Sequence, residues 1–396
     1  LRKQLPVTYS IRFKNWLNIA GRLLLWELVG GYALLSIYIF IQRLEGPNPG
    51  ADFVIYYGAS LLSLANNPAA IFDWSAMAEA QASVIGEAVK YLPWLYPPPL
   101  LLLAAPLAGL PYIPALGVWI LGQFALLLIA IRSLISRHNL GPLAYLAAFV
   151  FPATVNNMLA GQNGALSAAL LGGGLAVLQR RPVLAGLLFG LLIYKPHLGI
   201  MLPFALLAMG AWRTIAAALS SAICISLVSL LAFGTAPWLG FFQSAGVGAN
   251  ALEYGQTHWA KMATVFAALR LAGADLPLAY AGQAIAAILA ILAVLYLWRR
   301  KTADLVSLPI RASGLLFATF LATPYAFFYD LVVLIFPILW LGSMRWLPGC
   351  RQILGLLWVA PVALWLLARY SQISLWPIVL AGCLIWLLYH NKQQRQ

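Results

Sequence analysis

"GQNGALSAALLGGGLAVLQRRPVLAGLLFGLLIYKPHLGIMLPFALLAMGAWR", residues 161–213, holds three apolar runs, near 164–179, 183–195 and 198–211. The breaks between them alternate in kind. GQNG opens the stretch, Arg180 and Arg181 form the next break, YKPH the one after, and Arg213 closes it. Apolar runs joined by turns this short read as helices that cross a membrane and return, with the arginines at the cytoplasmic ends.

The rest of the chain extends the pattern. Its 396 residues are 63% hydrophobic and 9% charged, with a mean hydropathy of +0.88. That composition excludes a soluble domain and calls for an all-α polytopic membrane protein. Further spans are expected near 22–41, 113–131, 142–160, 214–234, 276–298, 310–323, 326–343, 353–369 and 374–389, about 12 transmembrane helices in all. Several fall short of the roughly 20 residues a helix needs to cross the hydrocarbon core, so tilted or shortened helices are expected. The N-terminal segment is a basic lead-in to a full-length span and is expected to stay on the chain. Cys224, Cys350 and Cys383 lie in or beside apolar runs and suggest packing, not a disulfide framework or a metal knuckle.

The net charge of +14 could suggest nucleic acid. Its distribution points elsewhere, because the basic residues sit in short clusters between apolar runs. The proline-rich stretch "YPPPLLLLAAPLAGLPY", 96–112, resembles a further span. Placing it along the interface, as a juxtamembrane or re-entrant helix, puts most of the 24 Lys and Arg inside and most of the ten acids outside. Both termini are then cytoplasmic, and the long outer loops are 42–112 and 235–275. No inverted repeat and no soluble linker is evident, so residues 1–396 read as a single integral membrane domain. Within it, 22–234 forms a catalytic module and 276–396 the C-terminal helices.

This topology gathers polar residues on one face. Asp52 stands just after the first expected span, near Tyr56 and Tyr57. Gln162 and Asn163 occupy one outer turn, Lys195 and His197 the next, and Tyr329 and Asp330 a later one. His258 and Lys261 lie in the second long loop. Each has an ordinary reading: turn-backbone satisfaction for Gln162 and Asn163, snorkelling for Lys195, helix capping for Asp52 and Asp330, an aromatic belt for the tyrosines. Convergence of several such groups on one face instead marks a functional site. A carboxylate, cations suited to phosphate and aromatic walls fit glycosyl transfer from a lipid-phosphate sugar. Asp52 would be the general base, and Lys195, His197, His258 and Lys261 would hold the departing phosphate. Gln162, Asn163, Tyr56, Tyr57, Tyr329 and Asp330 would bind sugar or acceptor. Other chemistry is poorly supplied: HExxH, Walker, CxxC and GxSxG motifs are missing, and the histidines lack metal-ligand spacing. No cofactor or metal is expected. The rival reading is a transporter or flippase of lipid-linked sugars, which would place its polar groups near the midplane between repeats.

From about Ala51 onward the chain resembles glycosyltransferase family 87. The resemblance rests on "DFVIYYGASLLSLANNPAAIFD" (52–73), on 96–112 and 161–213 as quoted, on "HWAKMATVFAALRLAGA" (258–274) and on "TPYAFFYDLVVL" (323–334). It implies the GT-C fold, a polyprenyl-phosphate donor carrying mannose or a comparable pentose, and a lipid or glycan acceptor. It also implies work on the outer face of a bacterial-type inner membrane and a catalytic carboxylate in the first outer loop, which maps onto Asp52. One departure stands out: mannosyltransferase relatives often carry a histidine in the late outer turn, within a pattern like SPxSWxHH. Here Thr323 to Asp330 has none.

Overall fold

The computed structural model describes residues 50, 52–86, 91–138, 140–299, 308–344 and 347–393. The chain divides into two units, Leu1–Pro47 and Asn48–Gln396, and all the described residues belong to the second. The expected first span at 22–41 lies outside the described residues.

Helices account for nearly all the regular structure. Three short ones come first: α1 (Phe53–Leu64), α2 (Trp74–Ile85) and α3 (Pro98–Gly109). They occupy the stretch expected to form the first long loop, and α3 is the proline-rich segment expected to be a short helix. Then follow α4 (Tyr112–His138), α5 (Leu143–Val150), α6 (Pro152–Ala160), α7 (Gly164–Val177), α8 (Pro182–Tyr194), α9 (Pro196–Met209) and α10 (Trp212–Phe233). The second expected loop is itself largely helical, with α11 (Ala236–Gln243), α12 (Ala245–Glu253), a 3-10 turn at Trp259–Lys261 and α13 (Val265–Leu271). The chain finishes with α14 (Leu276–Trp298), α15 (Leu308–Ala322), α16 (Phe328–Gly342), α17 (Cys350–Ser371) and α18 (Trp376–Gln393).

Four of these, within α4, α10, α14 and α17, are long and apolar enough to cross a membrane. A fifth candidate is the pair α5 and α6, bent by 51°. Pro152 opens α6, and its missing N–H together with its ring breaks the helix at Phe151, where one span was expected. The other expected spans are apolar helices of 10–17 residues, shorter than a full crossing.

Packing explains which helices are short. In α7 every residue from Gly164 to Ala176 is buried, so it forms the centre of the bundle, against α4, α8 and the start of α16. α8 meets α10 through the glycine pair of "GLLFG": a Cβ at Gly186 would stand 2.3 Å from the Thr214 carbonyl, and one at Gly190 2.3 Å from that of Ala218. This is the small-residue contact that lets membrane helices approach closely. By contrast α10 turns Leu219, Ile223, Leu227 and Leu231 outward, an apolar surface that lipid chains would cover.

Candidate active site

The site is collected by close backbone approach. Gly161 takes a left-handed φ of +67°, and a Cβ there would fall 2.7 Å from that of Phe53 and 3.1 Å from the Gly50 carbonyl. Only glycine fits that conformation so near another chain segment. The Asp52 N–H donates to the Ala160 carbonyl at 2.9 Å, and the Trp119 indole N–H to that of Gly161 at 3.0 Å. These contacts tie the GQNG turn to the start of α1 and to α4. At the other end of the turn, a Cβ on Gly164 would lie 2.1 Å from the Tyr329 carbonyl oxygen. The same turn therefore rests directly on the backbone of α16.

Asp52, half-buried, is held by one oxygen. Gln162 Nε2 donates to Asp52 Oδ2 at 2.9 Å. The orientation of that amide is set from its other side, where Gln162 Oε1 accepts from the Tyr56 hydroxyl at 2.6 Å and from Tyr96 at 3.3 Å. The two hydroxyls are themselves 2.9 Å apart. A flipped amide would turn its oxygen toward the carboxylate, so the network aims N–H at Asp52. Asp52 Oδ1 accepts no hydrogen bond among the described residues, which leaves one lone-pair face for an incoming hydroxyl. Burial raises the Asp52 pKa above the usual carboxylate value, while the Gln162 hydrogen bond and the Lys261 charge pull it down.

Beside this lies a buried ion pair. Lys195 Nζ meets Asp330 Oδ1 at 2.5 Å, and the two side chains are 3% and 0% exposed. Lys195 also donates to Asn163 Oδ1 at 2.8 Å and lies 5.0 Å from the centre of the Tyr329 ring. Asp330 Oδ2 accepts the Phe327 N–H at 2.9 Å, closing the turn that starts α16. Two neighbouring buried polar atoms have no partner among the described residues: Asn163 Nδ2 and His197 Nε2. The His197 ring packs edge-on to Tyr325, 5.7 Å between centroids.

Not every expected residue joins. The Tyr57 hydroxyl donates to the Leu110 carbonyl at 2.8 Å, so it fastens α1 to the end of α3. His258 and Lys261 are separate from Lys195 and His197. They line a cavity of about 430 Å³ between the 254–261 segment and the end of α17. An antiparallel bridge from Met262 to Phe327 nevertheless ties this segment to the turn before Asp330. Sequence reasoning did not single out Tyr96, Trp119 or Arg369 as site residues. Arg369 carried a usable signal, being one of the few cations outside the cytoplasmic clusters.

A helical chain with lipid-suited surfaces and a carboxylate held in a side-chain hydrogen-bond network defines a membrane protein with a built site. Its class follows from sequence: the profile of glycosyltransferase family 87 matches residues 94–324. The match covers more than half of the chain, which therefore belongs to that family and is a membrane glycosyltransferase. Among curated proteins and among solved structures, none matches the chain.

Proposed function

We propose that the protein moves a hexose, mannose in the first instance, from a polyprenyl-phosphate donor to a hydroxyl of a lipid or glycan, with inversion at the anomeric carbon. One observation carries this reading: Asp52 has one oxygen fixed by Gln162 and the other open. A carboxylate so placed can take the proton of an acceptor hydroxyl as that oxygen attacks the sugar. Its raised pKa makes it a stronger base than an exposed aspartate, and the ring of tyrosine hydroxyls keeps Gln162, and through it Asp52, from rotating away.

The departing polyprenyl phosphate needs positive or hydrogen-bonding groups. Lys195 has three N–H donors, two of them taken by Asn163 and Asp330, so it offers the third. Because Asp330 neutralises its charge, Lys195 serves the phosphate as a hydrogen-bond donor and not as a net positive charge. Asn163 Nδ2, without a partner among the described residues, donates to the sugar or the phosphate, and His197 Nε2 is available beside it to accept or donate according to its tautomer. In this reading the chain is a single GT-C domain of about twelve spans in a bacterial-type inner membrane, with both termini cytoplasmic and the site on the outer face.

The test uses purified protein with polyprenyl-phosphate mannose and a lipid extract as acceptor, following free polyprenyl phosphate. Wild-type protein should release it, and Asp52→Asn should slow release by about a hundredfold to ten-thousandfold, the scale of a lost general base. If wild-type protein releases none with any extract, yet moves labelled lipid across liposome membranes, the transporter reading replaces this one.

A further inference from the structure

The cavity between the 254–261 segment and the end of α17 contains none of the residues that hold Asp52. Lys261 and Arg369 both line it, with His258, Trp259, Trp365 and Gln372. Among the described residues, no carboxylate lines it. The one ion pair among the described residues is Lys195–Asp330, so neither Lys261 nor Arg369 is held in a salt bridge there.

Its walls are fixed in advance. Trp259 donates its indole N–H to the Leu252 carbonyl at 2.6 Å and carries the Arg270 guanidinium 4.8 Å from its ring centre. Gly255, at φ +73°, lies against the edge of the same indole: a Cβ there would come within 3.2 Å of it. Two non-glycine residues that line the cavity, His258 and Gln372, take left-handed φ values of 55° and 58°. Gln372 does so as the C-cap of α17, a common way for a helix to end, and His258 does so at the start of the 3-10 turn. The ordinary reading of Arg369 is a cation at a helix C-terminus, favourable to the dipole and resting on Trp365 at 6.0 Å. That reading leaves unexplained why a second cation and a second indole converge on the same concavity.

We propose that this cavity is the acceptor subsite, and that it takes a saccharide bearing a phosphate. The indoles offer flat surfaces for the apolar faces of sugar rings. Arg369 presents a planar fork matched to two phosphate oxygens, and Lys261 adds a second charge, one that acts on the Asp52 carboxylate. The proposal rests on the transferase reading above. In that frame the reacting hydroxyl lies at Asp52 while the rest of the acceptor extends along the cavity to Arg369.

Binding can be read without turnover, through quenching of tryptophan fluorescence in the full chain held in lipid nanodiscs. The probes are mannobiose 6-phosphate, plain mannobiose and a short-chain polyprenyl monophosphate without sugar. Mannobiose 6-phosphate should bind saturably, and Arg369→Met should weaken it at least about tenfold, the scale of a charge-assisted contact. Arg369→Lys should recover part of that loss, and plain mannobiose should bind wild type no more tightly than the phosphorylated probe binds Arg369→Met. Unchanged affinity in Arg369→Met overturns the proposal. So does full competition by the polyprenyl monophosphate, which would make the cavity the donor's phosphate site. Failure of the transferase reading looks different: no polyprenyl phosphate is released, while the phosphorylated probe still binds in an Arg369-dependent way.

Discussion

Removing the charge of Lys195 alone should destabilise the protein far more than removing the charges of Lys195 and Asp330 together. The pair is almost fully buried, so Lys195→Met leaves a carboxylate in apolar surroundings with the Phe327 N–H as its remaining partner. Breaking a buried pair from one side costs about 3–5 kcal/mol, because the remaining charge is uncompensated. With an unfolding entropy of about 2.1 cal/mol/K per residue over the chain, this is a fall in Tm of about 4 to 6 °C. Asp330→Asn should cost a similar amount, since it strands the ammonium. In the double variant Met fills the space of the lysine stem, and asparagine still accepts from Phe327. The main deficit is then the Asn163 Oδ1 acceptor, worth about 1–3 kcal/mol. The double variant should therefore be at least as stable as either single one. Thermal unfolding of the four proteins in one detergent, followed by tryptophan fluorescence, measures the cycle. If the loss in the double variant equals the sum of the single losses, the pair is not coupled and the reasoning fails. Activity of a stable double variant then isolates the N–H that Lys195 offers to the donor.

Other outcomes are expected. Asp52 must be deprotonated to act as a base, and the Lys261 charge lowers its pKa. Lys261→Met should raise that pKa, so the acid limb of the rate profile should move to higher pH; a limb that stays put or moves down removes Lys261 from the field at Asp52. Gly164→Ala would set a methyl 2.1 Å from the Tyr329 carbonyl oxygen and should cost at least about 1–3 kcal/mol through overpacking against backbone, read as a lower Tm. Tyr56→Phe takes the shortest hydrogen bond from Gln162; kcat should fall more than donor affinity, whereas an equal loss in both would make Tyr56 a binding wall. In intact cells, thiol labelling should reach cysteines introduced near Glu79 and Gln256 and not one near Arg180.

Much of the helical order was legible because apolar runs of this length have few other uses. Where the reading went astray, local chemistry explains it. Residues 142–160 form one apolar run, yet Pro152 splits it into two helices. The 235–275 segment was read as a loop because glycine, alanine and polar residues dilute its apolar character, but tertiary packing of Phe266 and Ala267 against Met262 and Ala279 folds much of it into helices. Convergence of Asp52 with Gln162 followed from their expected place on a common face. The partnership of Lys195 with Asp330 did not, since charge patterning assigns a side of the membrane and not a neighbour. Tyr96 was hidden for a similar reason: an interfacial tyrosine and one that orients a glutamine look alike until Gln162 is in place.

The ion pair also bears on how the chain is made. Lys195 and Asp330 are 135 residues apart, so at about 5–20 residues per second the lysine leaves the ribosome about 7 to 27 s before its partner. A lone ammonium cannot settle into the apolar interior during that interval. The α8–α9 hairpin must keep its tip hydrated until α16 is synthesised, and burial of Lys195 records that the later helices have arrived. A nascent chain halted before residue 330 would hold its hairpin open, a form that membrane proteases and insertion factors could distinguish from the finished protein.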